Sequence, residues 1–142
     1  MKRLWPVLAL LAGCDALPRD TDGTHARVEK AHVVRVGLAA GTRMNRPVSS
    51  LIAGIEHAAG ARATTVTGAG EPLLLALDDG RLDVVVGAFA EDTPWRDRVS
   101  LAPPVARHMD GGKPLLIRAA VRNGENRWAM LVEHASREAA RR

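Results

Sequence analysis

Apolar residues along this 142-residue chain fall into two kinds of stretch, short β-branched runs and segments at helical spacing, separated by Gly- and Pro-rich polar connectors. Val33 to Leu38 is short and β-branched and predicts a strand. Pro47 suits the first turn of a helix, and Leu51, Ile52, Ile55 and Ala58/Ala59 recur at helical spacing until Gly60 stops it. Arg62 to Thr67 predicts a second strand. Pro72 opens a second helix with Leu73, Leu74, Ala76 and Leu77 on its apolar face, Asp78 and Asp79 at its end and Gly80 as the stop. Leu82 to Val86 predicts a third strand, apolar on both faces at Val84, Val85 and Val86 as an interior parallel strand is. A turn-rich connector is expected at His108–Gly112, then a strand at Pro114–Val121 with its Pro at the tolerated first position. After the turn at Asn123-Gly124, Glu125 to about Ala140 predicts a helix carrying Trp128, Leu131, Val132 and Ala135 on one face. Alternating strands and helices define an α/β chain with crossovers and a mostly parallel sheet. Within it, Glu71 to Pro104 runs helix, Gly stop, buried strand and polar loop, the order that presents a ligand site at the carboxyl end of a sheet.

The first residues follow a different pattern. Lys2 and Arg3 precede an apolar run from Leu4 to Leu11, too short to span a bilayer, so the segment reads as a signal peptide. Leu11-Ala12-Gly13-Cys14 resembles the bacterial lipobox. That resemblance implies that residues 1–13 are a lipoprotein signal peptide and that Cys14 is diacylated, enough for stable anchoring. The alternative is an ordinary secretory signal with an incidental cysteine. Cys14 is the single cysteine of the chain, which excludes an internal disulfide. Asp15 resembles an inner-membrane retention signal, which places the protein on the periplasmic side of the bacterial inner membrane. Residues 14–32 read as a polar lipid-anchored tether and 33–142 as the folded unit.

Composition narrows the picture further. The chain is long enough for one domain with a real core. Three Trp, one Phe and no Tyr mean that this core is built from Leu, Val, Ile and Ala. The net charge of +4 includes Lys2 and Arg3, and the remaining basic residues are scattered, which excludes a nucleic-acid-binding stripe. No nucleophile–base pair, paired carboxylates or metal-ligand spacing is visible, so neither an enzyme nor a metal or cofactor is expected. Gly68-Ala69-Gly70 reads as a plain turn, because Leu73 stands where a dinucleotide fingerprint has its third glycine. His57 reads as a structural or surface histidine, and His108 with Asp110 has too few partners for a metal. Arg137, Arg141 and Arg142 suit the carboxyl end of the last helix.

Pro72-Leu-Leu-Leu-Ala-Leu-Asp-Asp-Gly-Arg-Leu-Asp-Val-Val-Val-Gly87 resembles the helix–strand signature of family-3 extracellular solute-binding proteins, the polar amino-acid receptors of ABC importers. Thr93-Pro94-Trp95-Arg96, and then Val99 to Pro104, are similar to the Thr-Pro-x-Arg loop and the segment that follows it in that family. The strand at Val33, the helix from Val48 to Ala59 and Ala120–Glu125 match in kind. The resemblance implies a single-lobe, periplasmic-binding-protein-like (type II) three-layer fold. It implies that Arg96 fixes the ligand's α-carboxylate, that Thr93 sits just before it, and that Gly87 and Ala88 offer backbone groups to the ligand. The alternative for Arg96 is a surface arginine paired with Asp92 or Asp97. Departures from the pattern are Ala88, Phe89 and Ala90 in place of hydroxyl residues, and the missing aromatic platform after the first strand. The eight residues from Val105 to Gly112 stand where the family inserts a whole second lobe. The function implied is binding of an amino acid or similar small carboxylate for an ABC permease or a sensor protein. The rival reading is an accessory or interaction lipoprotein, or a homodimer in which two lobes face each other.

Overall fold

In the computed structural model, which describes residues 18–142, each β-branched run forms a strand and each helical period a helix. The signal peptide, the lipobox and Cys14 lie outside the described residues. In chain order the elements are α1 (Thr24–Ala31), β1 (Val33–Ala39), α2 (Arg46–Ala59), β2 (Arg62–Gly68), α3 (Gly70–Asp78) and β3 (Val84–Phe89). A short 3₁₀ turn at Pro94–Asp97 follows, then β4 (Val99–Leu101), β5 (Ala106–Asp110), β6 (Lys113–Arg122) and α4 (Asn126–Ala140). Local chemistry sets several ends. Asn45 caps α2 by accepting from the Val48 N–H at 3.3 Å, and Gly60 closes it at a φ of 58° that few other residues adopt.

The strands form one sheet in the order β2-β1-β3-β6-β4, with β5 also paired to β6. The α/β class and the single three-layer lobe are as expected; the sheet, however, is mixed. β1 pairs in parallel with β2 and β3, whereas β6 is antiparallel to β3, β4 and β5. Parallel neighbours need a long crossover, and beyond β3 the chain has no helix to supply one until β6 is complete. The expected connector at His108–Gly112 is in fact mostly β5 and its hairpin. Asp110 pairs with Lys113 across a two-residue Gly111-Gly112 turn, both glycines at positive φ. β5 is largely exposed, so no buried alternation marked it in the sequence.

One face of the sheet carries α2 and α4, with Leu51, Ile55, Trp128 and Val132 against Val84, Val86, Ala119 and Val121. The other face carries α3, with Leu73, Leu74 and Leu77 against Val85, Phe89 and Ala120. The tether expected over 14–32 does not extend through its second half. Residues 24–31 are a helix whose Val28 is fully buried against the α2–α4 side. Two acidic residues tie this helix down reciprocally. Glu125, just before α4, accepts the N–H groups of Asp22 and Thr24, both at 2.7 Å. Asp20, ahead of α1, accepts the Trp128 N–H in the first turn of α4 at 2.9 Å and the His25 N–H at 2.8 Å. Each satisfies otherwise orphaned donors of the other helix.

Asp83, the acidic residue of the helix–strand signature, is also structural. Its buried carboxylate accepts the Arg35 N–H at 2.7 Å and Nη2 at 2.8 Å, and pairs with Arg27 of α1. Its carbonyl accepts Trp128 Nε1 at 2.7 Å. One residue therefore links β1, α1 and α4 to the foot of β3.

Candidate functional site

The chain passes from β1 through α2 to β2, then back through α3 on the opposite face to β3 on the other side of β1. The winding direction reverses between β1 and β3, and the crevice outside their carboxyl ends is where open α/β sheets bind ligands. A small cavity of about 90 Å³ lies there, lined among others by Thr42, Arg43, Ala88, Arg107 and His108. A wider depression of about 590 Å³ lies along Ala90–Asp92, Arg107 and Lys113.

After β3 the chain turns along the edge of the α3 face. Thr93 caps the 3₁₀ turn, its Oγ1 accepting the Trp95 N–H at 3.4 Å, and Pro94 occupies the first position. Arg98 stacks over Trp95 at 5.6 Å and pairs with Asp78 at 3.1 Å, pinning the turn to the end of α3. Arg96 stays exposed, and its guanidinium forms no ion pair among the described residues, with Asp92 and Asp97 included. It lines a polar cavity of about 470 Å³ between the 3₁₀ turn, β4 and β6, together with Glu91, Ser100, Arg118 and Asn123. Ser100 Oγ donates to Asn123 Oδ1 at 2.6 Å, and Asn123 Nδ2 donates to the Arg96 carbonyl at 3.4 Å, so the wall is cross-braced.

The four expected ligand residues do not share one cavity. Arg96 lines the 470 Å³ cavity, and Ala88 faces the small one at the switch point. Thr93 holds the turn that presents Arg96. Gly87 is interior: a Cβ there would lie 2.7 Å from that of Ala39 and 3.2 Å from the Phe89 ring, so its missing side chain lets β1 and Phe89 close over it. Sequence reasoning missed Arg118, which sits opposite Gly87 in the sheet register. The signal was a single cation inside the apolar run Leu115-Leu-Ile-Arg118-Ala-Ala-Val121, on a strand with neighbours on both sides.

Among the described residues no helix is long and apolar enough to cross a membrane, and no cluster of three His, Cys, Asp or Glu is placed to hold a metal. No protein-family model matches the chain, and no curated protein sequence does. Solved structures do. The arginine-bound form of domain 1 of TmArgBP, from T. maritima, is similar over 79% of this chain and 97% of its own, at 18% identity and a TM-score of 0.64. AncCDT-1, an ancestral amino-acid-binding protein described as a precursor of cyclohexadienyl dehydratase, is similar over 83% and 93%, at 11% identity and a TM-score of 0.68. An amino acid ABC transporter substrate-binding protein from Streptococcus pneumoniae, bound to L-arginine, is similar over 81% and 91%, at 7% identity and a TM-score of 0.65. At these identities the likeness is one of fold. The architecture is similar to that of domain 1 of TmArgBP.

Proposed function

We propose that this chain is the solute-recognition component of an ABC-type importer, a non-enzymatic receptor for an amino acid or a similar small carboxylate. It is anchored through Cys14 on the periplasmic side of the inner membrane. Arg96 carries the proposal: a guanidinium without an ionic partner among the described residues, at the rim of a polar cavity, in a fold whose solved neighbours include arginine-bound proteins. A planar guanidinium suits a carboxylate because it donates two parallel hydrogen bonds. The open face that a lone lobe presents is compatible with binding, since domain 1 of TmArgBP is itself described in an arginine-bound form.

Calorimetric titration with the amino acids and small organic acids tests the reading, using protein that lacks residues 1–14. Micromolar binding by the unmutated protein, weakened about tenfold or more in Arg96→Ala, is expected from the loss of one charge-assisted contact. The β5–β6 hairpin, which occupies the place of a second lobe, favours the rival accessory reading. Silence across the whole panel, together with a membrane protein recovered as a stable partner, decides for it.

A further inference from the structure

Three charged side chains are buried among the described residues: Asp83, Glu125 and Arg118. The two carboxylates are saturated with hydrogen bonds from Arg35, Asp22 and Thr24. Arg118 is not. Its residue is 8% exposed, its buried Nε has no hydrogen-bond partner, and Nη2 lies 4.0 Å from Glu91, a side chain 79% exposed at the cavity mouth. Burying a cation without matching acceptors is costly, and a guanidinium can grip a carboxylate with two parallel bonds. Arg118 lines the cavity shared with Arg96, whose volume of about 470 Å³ is in the range of small-molecule sites, and Glu91 is the one counter-charge near its guanidinium among the described residues.

We propose that Arg118 is the buried anchor of the solute's carboxylate, that Arg96 is the second guanidinium at the rim, and that Glu91 meets the solute's ammonium group. The ligand class is then the free α-amino acid, with both charges read inside a single lobe. This inference rests on the receptor reading above. Glu91 competes for Arg118 while the site is empty and pairs with the amine once a carboxylate has taken the guanidinium. Both solute charges then acquire counter-charges without any residue from a second lobe.

The test compares the full chain in mild detergent with Arg118→Met, Arg118→Lys and Glu91→Gln, by calorimetry and thermal melting. The titrants are the free amino acids, their N-acetyl derivatives and inorganic phosphate. Arg118→Met keeps or raises the melting midpoint, because an unsatisfied buried cation is removed, and loses about a hundredfold in affinity for the best amino acid. Arg118→Lys stays folded and loses about tenfold, as expected when the charge remains but the fork is gone. Glu91→Gln narrows the preference for a free over an N-acetylated amino acid. The inference falls alone if Arg118→Met binds amino acids as the unmutated protein does while Arg96→Ala does not. It also falls if Arg118→Met unfolds and Arg118→Lys binds normally, since Arg118 is then structural. If amino acids are ignored but phosphate binds in an Arg118-dependent way, the amino-acid part fails with the receptor reading and the anchoring role stands. Silence toward every titrant overturns both.

Discussion

Glu125 shows how a buried charge is kept at low cost. Burial by itself raises a carboxyl's pKa, but hydrogen bonds from Thr24 and from the Asp22 and Thr24 N–H groups, with the nearby charge of Arg122, outweigh it and leave the pKa below the ordinary value. A depressed folded-state pKa adds stability that is fully present above the ordinary carboxylate range, about 4.3 for Glu, and is lost as pH falls through the lower folded value. Glu125→Gln should therefore cost about 1–3 kcal/mol at pH 7, a drop of several degrees in Tm, and progressively less toward pH 3. Thermal melts of both proteins at pH 7, 5 and 3 check this, and a gap that stays constant with pH counts against it. Residue identity was legible in the sequence only where a motif singled it out. Arg96 stood out by its place after Thr93-Pro94, and among the described residues its guanidinium has no ionic partner and lines a cavity. Glu125 and Asp20 carried no such mark, because the donors of Glu125, and the Trp128 N–H that Asp20 accepts, lie more than a hundred residues away along the chain.

At the scale of elements, the strands and helices that bury a regular pattern were readable, with ends displaced by a few residues. The third strand, expected at Leu82–Val86, runs over Val84–Phe89. The elements that were not readable, α1, the 3₁₀ turn, β4 and β5, bury little or are very short. α1 has Val28 as its one buried aliphatic residue and no cap within its own sequence, so locally it looks like a polar tether. Its stability comes from Glu125, Asp83 and the α2–α4 surface. A protein beginning at His32 should consequently be less stable than one beginning at Pro18 by about 2–4 kcal/mol. This allows for one buried Val and the hydrogen-bonded links lost with the helix. Urea unfolding of the two measures it; equal midpoints would restore the tether.

At the scale of the molecule, the sheet's two halves have different origins. The parallel half, β2-β1-β3, is wound by α2 and α3 on opposite faces, and the antiparallel half is folded back through β4, β5 and β6. With a hairpin where the resemblance implies an inserted second lobe, the proposed ligand binding has no hinged partner among the described residues to draw in. Addition of a saturating amino acid should therefore raise Tm without changing the radius of gyration in small-angle scattering. A contraction on binding would indicate closure by some other route, and a doubled mass would point to two lobes facing each other.

The sequence by itself determined the α/β class, the order of the main strands and helices, and the exposed loop that carries Arg96. These depend on hydrophobic period, turn residues and short motifs, all local along the chain. Tertiary structure alone decided that β6 runs antiparallel to β3, that α1 is part of the fold, and that Gly87 is sealed inside. It also brought Arg118 beside Arg96 and Glu91. These depend on which distant segments share a surface, and burial of a charge has no meaning until that surface exists.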